Sequence, residues 1–151
     1  MRKAFPLTVE RLMKKDKRIF CLLGDIGVFS FRNIFKNYKN RIFNMSTMEQ
    51  SMIGFGSGLS RSGFIPIIHT IAPFLVLRAL DQIKIDFVYN KLPCNIVSVG
   101  ASNDYSKLGT VRESLVRELS ETLRKHAVEE SYSFLGTLFI HIESKSEYRK
   151  L

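Results

Sequence analysis

The sequence predicts an α/β fold: a three-layer sandwich built on a mainly parallel sheet. Three observations predict it. Short runs such as Ile19-Phe20-Cys21-Leu22-Leu23 and Asn95-Ile96-Val97-Ser98-Val99 are apolar enough to be strands buried on both faces. Between such runs lie segments with apolar residues at helical spacing. Gly24, Gly63 and Pro93 punctuate the junctions. Strands that alternate with helices pair in parallel through right-handed crossovers, which lay helices over both faces.

Each element follows in order. Ala4 to Lys15 carries Phe5, Leu7, Val9, Leu12 and Met13, and predicts an amphipathic helix. The first strand is Ile19 to Leu23, ended by Gly24-Asp25. Phe29 to Asn37 predicts a short helix, and Arg41-Ile42-Phe43-Asn44 a short strand. Thr47 to Ser62 predicts a helix ending near Gly63, followed by a strand over Ile65 to His69. Pro73 to Asn90 predicts a helix with proline at its start, where a missing N–H does no harm. Pro93 precedes the strand from Asn95 to Val99, and a polar loop runs from Gly100 to Gly109. Val111 to Ala127 has helical periodicity, Phe134 to Ile142 reads as a strand, and Ser144 to Leu151 as a basic, fraying tail. One domain over residues 1–143 and a tail over 144–151 are therefore expected in this 151-residue chain.

Composition narrows the function classes. A hydrophobic fraction of 45% supports a packed core and excludes a disordered chain. The apolar runs are too short to span a bilayer, and Met1 to Pro6 lacks a signal core. Two cysteines, Cys21 and Cys94, both in strand-like runs, fit core thiols in a reducing cytosol, so a cytoplasmic location is expected. The net charge is +9, and residues 1–41 hold eleven Lys/Arg against Glu10, Asp16 and Asp25, a net of +8. These basic residues mostly flank helices, as solvated faces do, and no membrane or nucleic-acid role is expected; aromatics do not interleave with them as RNA readers require.

Several candidates carry chemistry. Gly54-Phe55-Gly56-Ser57-Gly58 has the wrong spacing for a dinucleotide loop and lies inside a predicted helix, so it predicts close packing. Ser46-Thr47-Met48-Glu49 reads as a capping box, with Ser46 capping the helix and Glu49 reaching back. The same position, at a helix start beyond the carboxyl end of a strand, is also where α/β sheets bind ligands. Asp25, between Gly24 and Gly27, sits either in a ligand loop or as a turn carboxylate. His69 ends a strand, and Asp81-Gln82 lies within a helix as a surface or interface pair. No metal-ligand spacing of Cys and His is present in the sequence.

Taken together, these segments resemble the pyrimidine-binding domain of the transketolase family, as found in split transketolase-like C-terminal subunits and 1-deoxyxylulose-5-phosphate synthases. The resemblance rests on Met1 to Phe5, on Arg18 to Phe20 with Gly24 to Gly27, on Arg41 to Asn44 with Glu49-Gln50-Ser51-Met52, and on Pro66 to Leu75 with Arg78 and Asp81-Gln82-Ile83. It covers residues 1–109 and diverges over 110–143.

The resemblance implies the thiamine-diphosphate-binding fold and a transferase role in carbohydrate metabolism. In the family a Glu carboxyl, kept a donor by an apolar pocket, hydrogen-bonds the aminopyrimidine of the cofactor; Glu49 matches that catalytic position. Phe74, Asp25 and Ile71 match cofactor-facing positions, and His69 and Arg78 fall at substrate-facing ones. The family's diphosphate module, with its magnesium, has no counterpart around Gly24-Asp25-Ile26, and Thr110-Val111-Arg112-Glu113 stands where the family places a histidine. The resemblance therefore implies half an active site: thiamine diphosphate shared with a diphosphate-binding subunit or across a homodimer, magnesium bound by the partner, and a phosphorylated sugar or 2-oxo acid as substrate. The departures equally fit a truncated, frame-shifted or diverged paralogue acting as a structural or regulatory subunit.

Overall fold

A computed structural model describes residues 4–100, 130–134 and 137–142. The elements are α1 (Ala4–Lys15), β1 (Ile19–Leu23), a 3-10 turn (Val28–Phe31), α2 (Arg32–Asn37), β2 (Ile42–Asn44), α3 (Glu49–Arg61), β3 (Ile65–Ile71), α4 (Ala72–Gln82), a π-helical continuation (Ile83–Tyr89), β4 (Cys94–Val99), β5 (Glu130–Phe134) and β6 (Thr137–Ile142). The expected helix over Val111 to Ala127 and the expected tail lie outside the described residues.

The sheet runs β2-β1-β3-β4-β6-β5. Its first four strands are parallel, and β6 and β5 add to β4 antiparallel. The expected α/β class with a mainly parallel sheet is what the chain adopts. The stretch read as one strand from Phe134 to Ile142 instead supplies β6 and the last residue of β5. Apolar patterning marks strand content but not the reversal between two strands.

Side-chain alternation along the parallel strands creates two cores. Leu22, Ile68 and Ile96 pack with Met52, Ile53, Leu75, Ala79, Ile83 and Phe87, on the face covered by α3, α4 and the π-helical segment. Cys21, Leu23 and Ile67 pack with Val9, Met13, Phe31 and Ile34, on the face covered by α1 and α2. These are the three layers. Pro66 lies within β3 and has no N–H to give, yet its strand is central. The β3–β4 ladder begins one residue later, at Ile67 opposite Asn95, so proline falls outside it.

Several early cations are committed within the fold. Arg41 donates from Nη2 to the Met13 carbonyl (2.9 Å) and from Nη1 to the Asp16 carbonyl (3.0 Å), closing the end of α1. Its guanidinium also lies over the Tyr38 ring. Arg18 pairs with Asp16 at 2.8 Å, and that hydrogen bond holds the Asp16 carboxyl below its ordinary range. Lys14, Lys15 and Lys36 stand in the last turns of α1 and α2, where the helix dipole favours cations.

Two glycines separate backbone necessity from habit. A Cβ on Gly24 would lie 2.5 Å from Thr70 Oγ1 and 2.8 Å from Thr70 Cβ, whereas one on Gly58 in α3 would meet nothing within 4 Å. We expect Gly24→Ala to lower stability by about 1–3 kcal/mol through overpacking. Gly58→Ala should raise it by about 0.5–1 kcal/mol through helix propensity. Urea denaturation of the two variants checks both signs.

Candidate functional site

The carboxyl ends of β1, β2 and β3 lie side by side, with Leu23 opposite both Asn44 and His69. Loops leaving these ends build the site. Asn44, the last residue of β2, ties two of them: its Oδ1 accepts from the Asp25 N–H (3.0 Å) and the Ser46 N–H (3.2 Å). Its Nδ2 donates to Asp25 Oδ1 at 2.9 Å. Asp25 and Ser46 both adopt positive φ, 54° and 57°, a conformation that short polar side chains tolerate when locally hydrogen-bonded.

That geometry replaces the capping box. Helix α3 begins at Glu49 itself, with Met48 at the cap position and no side-chain cap bond. Ser46 lies in the left-handed region, outside the extended conformation that a capping residue needs. Glu49 is freed from the cap and turns into the protein, where its exposure is 0%.

A buried carboxyl requires partners. Glu49 Oε1 accepts from Thr70 Oγ1 at 2.9 Å, and Oε2 accepts from Arg78 Nη1 at 2.6 Å. Thr70 is itself fully buried, on the α3/α4 face of β3, and the Gly24 backbone packs closely over it. Arg78 Nη1 also donates to the Thr47 carbonyl at 3.2 Å. The Arg78 guanidinium carbon stands 4.6 Å from the centroid of the Phe74 ring, one helical turn earlier on α4. Phe74 is 38% exposed with the Arg78 guanidinium over its ring, while Glu49 is not open to bulk water.

Glu49, Arg78 and Phe74 thus meet in one cluster. His69 does not join it. Strand alternation sends it to the opposite face, beside Phe5 (ring centroids 4.7 Å apart) and Phe31 (6.0 Å). It is 5% exposed, and its Nδ1 lies 2.7 Å from the Val97 carbonyl. A carbonyl only accepts, so Nδ1 carries the proton. Ile71, two residues on, falls on the His69 side of β3 and is the last residue before α4. Asp25 is exposed and engaged by Asn44. Sequence patterning does not single out Thr70 or Asn44 as site residues. Their one signal is a polar side chain within or closing an apolar strand.

Among the described residues, no group of three or more His, Cys, Asp or Glu side chains could hold a metal ion, and no helix is long and apolar enough to cross a membrane. The arrangement offers one planar aromatic face beside one buried carboxyl. Those are the two elements that hold a flat, nitrogen-bearing ring by stacking and hydrogen bonding.

Comparison with known proteins finds a matching family and similar chains. The family model described as "Transketolase, pyrimidine binding domain" matches residues 1–118. A protein of Rhodococcoides fascians, called an uncharacterized 33.6 kDa protein in the fasciation locus, is 38% identical over 104 residues, covering 69% of this chain and 33% of that protein. An apulose-4-phosphate transketolase subunit of Phocaeicola vulgatus is 30% identical over 115 residues, covering 76% of this chain and 37% of its own length. Matches of this kind span about a third of those curated relatives. A solved structure, described as a split gene transketolase in the form of an inactive beta4 tetramer, superposes with a TM-score of 0.60 at 25% identity, covering 80% of this chain and 47% of that one.

Two outcomes are expected from the site's chemistry. Thr70→Val removes the donor to a buried oxygen while keeping the shape, and should cost about 1–3 kcal/mol in a denaturant titration. Burial pushes the His69 imidazole below its ordinary 6.5, against the opposing bond to the Val97 carbonyl. The unfolded chain therefore takes up the proton first as the pH falls. The His69 contribution is complete above about pH 6.5 and is lost progressively below it, toward the lower folded value. Melting temperatures from about pH 7.5 to 5 should fall more steeply for the native chain than for His69→Gln.

Proposed function

The chain belongs to the transketolase pyrimidine-binding domain family, and from that membership we propose that it supplies the aminopyrimidine half of a thiamine diphosphate site in a transketolase-like enzyme. The observation that carries the reading is a fully buried Glu49 carboxyl at the carboxyl end of the parallel strands, in one cluster with the half-exposed Phe74 ring. Thiamine diphosphate, when bound, supplies the carbanion-stabilising chemistry on which ketol and aldehyde transfer depend.

The residues of this chain do the positioning. Thr70 holds one Glu49 oxygen; the other points toward α4, where it accepts from Arg78 Nη1 and where, with a proton between them, a ring nitrogen would meet it in place of Arg78. Phe74 offers a face for stacking, and the buried surroundings of Glu49 keep water from competing for its oxygens. The Asp25–Asn44–Ser46 contacts hold the neighbouring loops, so Asp25 frames the site rather than entering it alone. The residue types, a buried carboxyl and an aromatic ring, support the pyrimidine half. In this reading the cofactor is shared with a diphosphate-binding subunit or across a homodimer, and the partner holds the diphosphate group and magnesium. The similar split transketolase, solved as an inactive beta4 tetramer, supports the idea that one kind of subunit is not enough. Buried, unpaired Cys21 and Cys94, whose thiols burial pushes far up, support a reducing, cytoplasmic setting.

The test is calorimetric. Thiamine diphosphate and magnesium titrated into the chain together with a diphosphate-domain subunit should release heat, and Glu49→Ala should abolish both that heat and the transferase activity while leaving the far-UV circular dichroism unchanged. Full activity in Glu49→Ala would sink the reading. A partner fully active without this chain would instead favour a structural or regulatory subunit.

A further inference from the structure

The contact between Arg78 and Glu49 has a chemical likeness to the ligand expected beside them. A guanidinium is planar, and it presents N–H donors in a rigid fork on either side of a carbon. An aminopyrimidine is also planar, with an amino group next to a ring nitrogen. The side chain of Arg78 uses these features twice: Nη1 donates to Glu49 Oε2 at 2.6 Å, and the guanidinium plane's carbon lies 4.6 Å from the Phe74 ring centroid. Both elements that would grip the cofactor ring are thus engaged by a residue of the chain itself.

Resting on the function proposed above, we infer that Arg78 is an internal competitor for the pyrimidine ring, a latch that must swing off Glu49 and Phe74 before the cofactor can seat. Its placement suits that motion. The side chain is 42% exposed, so it can leave into water, whereas Glu49 at 0% cannot follow it. A third contact, Nη1 to the Thr47 carbonyl at 3.2 Å, comes from the loop before α3 and releases with the same swing. While latched, Arg78 gives the buried carboxylate the charged partner that burial demands. Once it leaves, the entering ring nitrogen takes over that oxygen, and because both atoms are acceptors one proton from solvent comes to lie between them, replacing the N–H that Arg78 withdrew. The apparent affinity for the ring is lowered by the fraction of chains that are latched. Arg78 acts on cofactor entry through Glu49 and Phe74, and is a positioning residue.

The test needs no partner subunit. The hydroxymethyl aminopyrimidine that forms one half of thiamine is titrated into the native chain, Arg78→Gln, Arg78→Lys and the double variant Arg78→Gln/Glu49→Ala, with binding read from NMR shifts and folding from thermal melts. Arg78→Gln should bind about two- to tenfold more tightly, the range set by one exposed cation–π contact and one half-exposed ion pair. Arg78→Lys, which keeps the charge but loses the planar fork, should fall between native and Gln. The double variant should lose the gain. Equal or weaker binding by both folded single variants, with the native chain binding, would overturn the latch and leave the proposed function standing. No binding by any of the four would overturn the pyrimidine site and the latch with it.

Discussion

The constraint on which this structure depends is the double burial of β3. It has a parallel neighbour on each edge and a helical layer on each face. A strand so placed has no solvent side, so every side chain along it must be packed or hydrogen-bonded. Ile67 and Ile68 meet that demand by packing into the two cores. His69 and Thr70 meet it with polar partners on opposite faces: the Val97 carbonyl for one, Glu49 for the other. A one-residue shift in register would exchange these faces and disconnect Glu49 from its donor.

From Thr70 the dependence runs outward. Thr70 needs room, and the missing Cβ of Gly24 at the end of β1 provides it. The turn after Gly24 is then held by Asn44, which also bends the chain at Ser46 so that α3 starts at Glu49. The carboxyl is placed by three strand ends acting together. It is a charge taken out of water, and such a group is stable only when each oxygen has a strong donor. One donor is rigid and buried, the other long and half exposed. A site with one fixed and one removable partner can keep its carboxyl in place while changing what that carboxyl touches.

The basic character of the early chain has a plainer origin. Arg41 closes the end of α1, Arg18 pairs with Asp16, and Arg32 lies over Phe29. Lysines in the last turns of α1 and α2 sit where exposed carbonyls favour them. A cluster of charge in a sequence therefore overstates the charge available to a partner, because helix ends and neighbouring carboxylates use part of it.

The class of fold was legible from the sequence alone, because a buried parallel strand and an amphipathic helix each impose their own period on apolar residues whatever lies beyond them. The same patterning located β1, β3, α3 and α4 to within a few residues, and the resemblance to the family brought out the Glu49 and Phe74 segments as a pair. What it could not decide was which side chains face one another. Local spacing made Ser46 and Glu49 a capping box and ended the third strand at His69, whose substrate-facing place was implied only by the resemblance. Tertiary structure decided otherwise in both places. The Asn44 tie drives Ser46 into a left-handed conformation, and strand parity sends His69 to the far face while Thr70 turns to Glu49. The partners of a buried polar group come from strands and helices distant in sequence, so no local period records them.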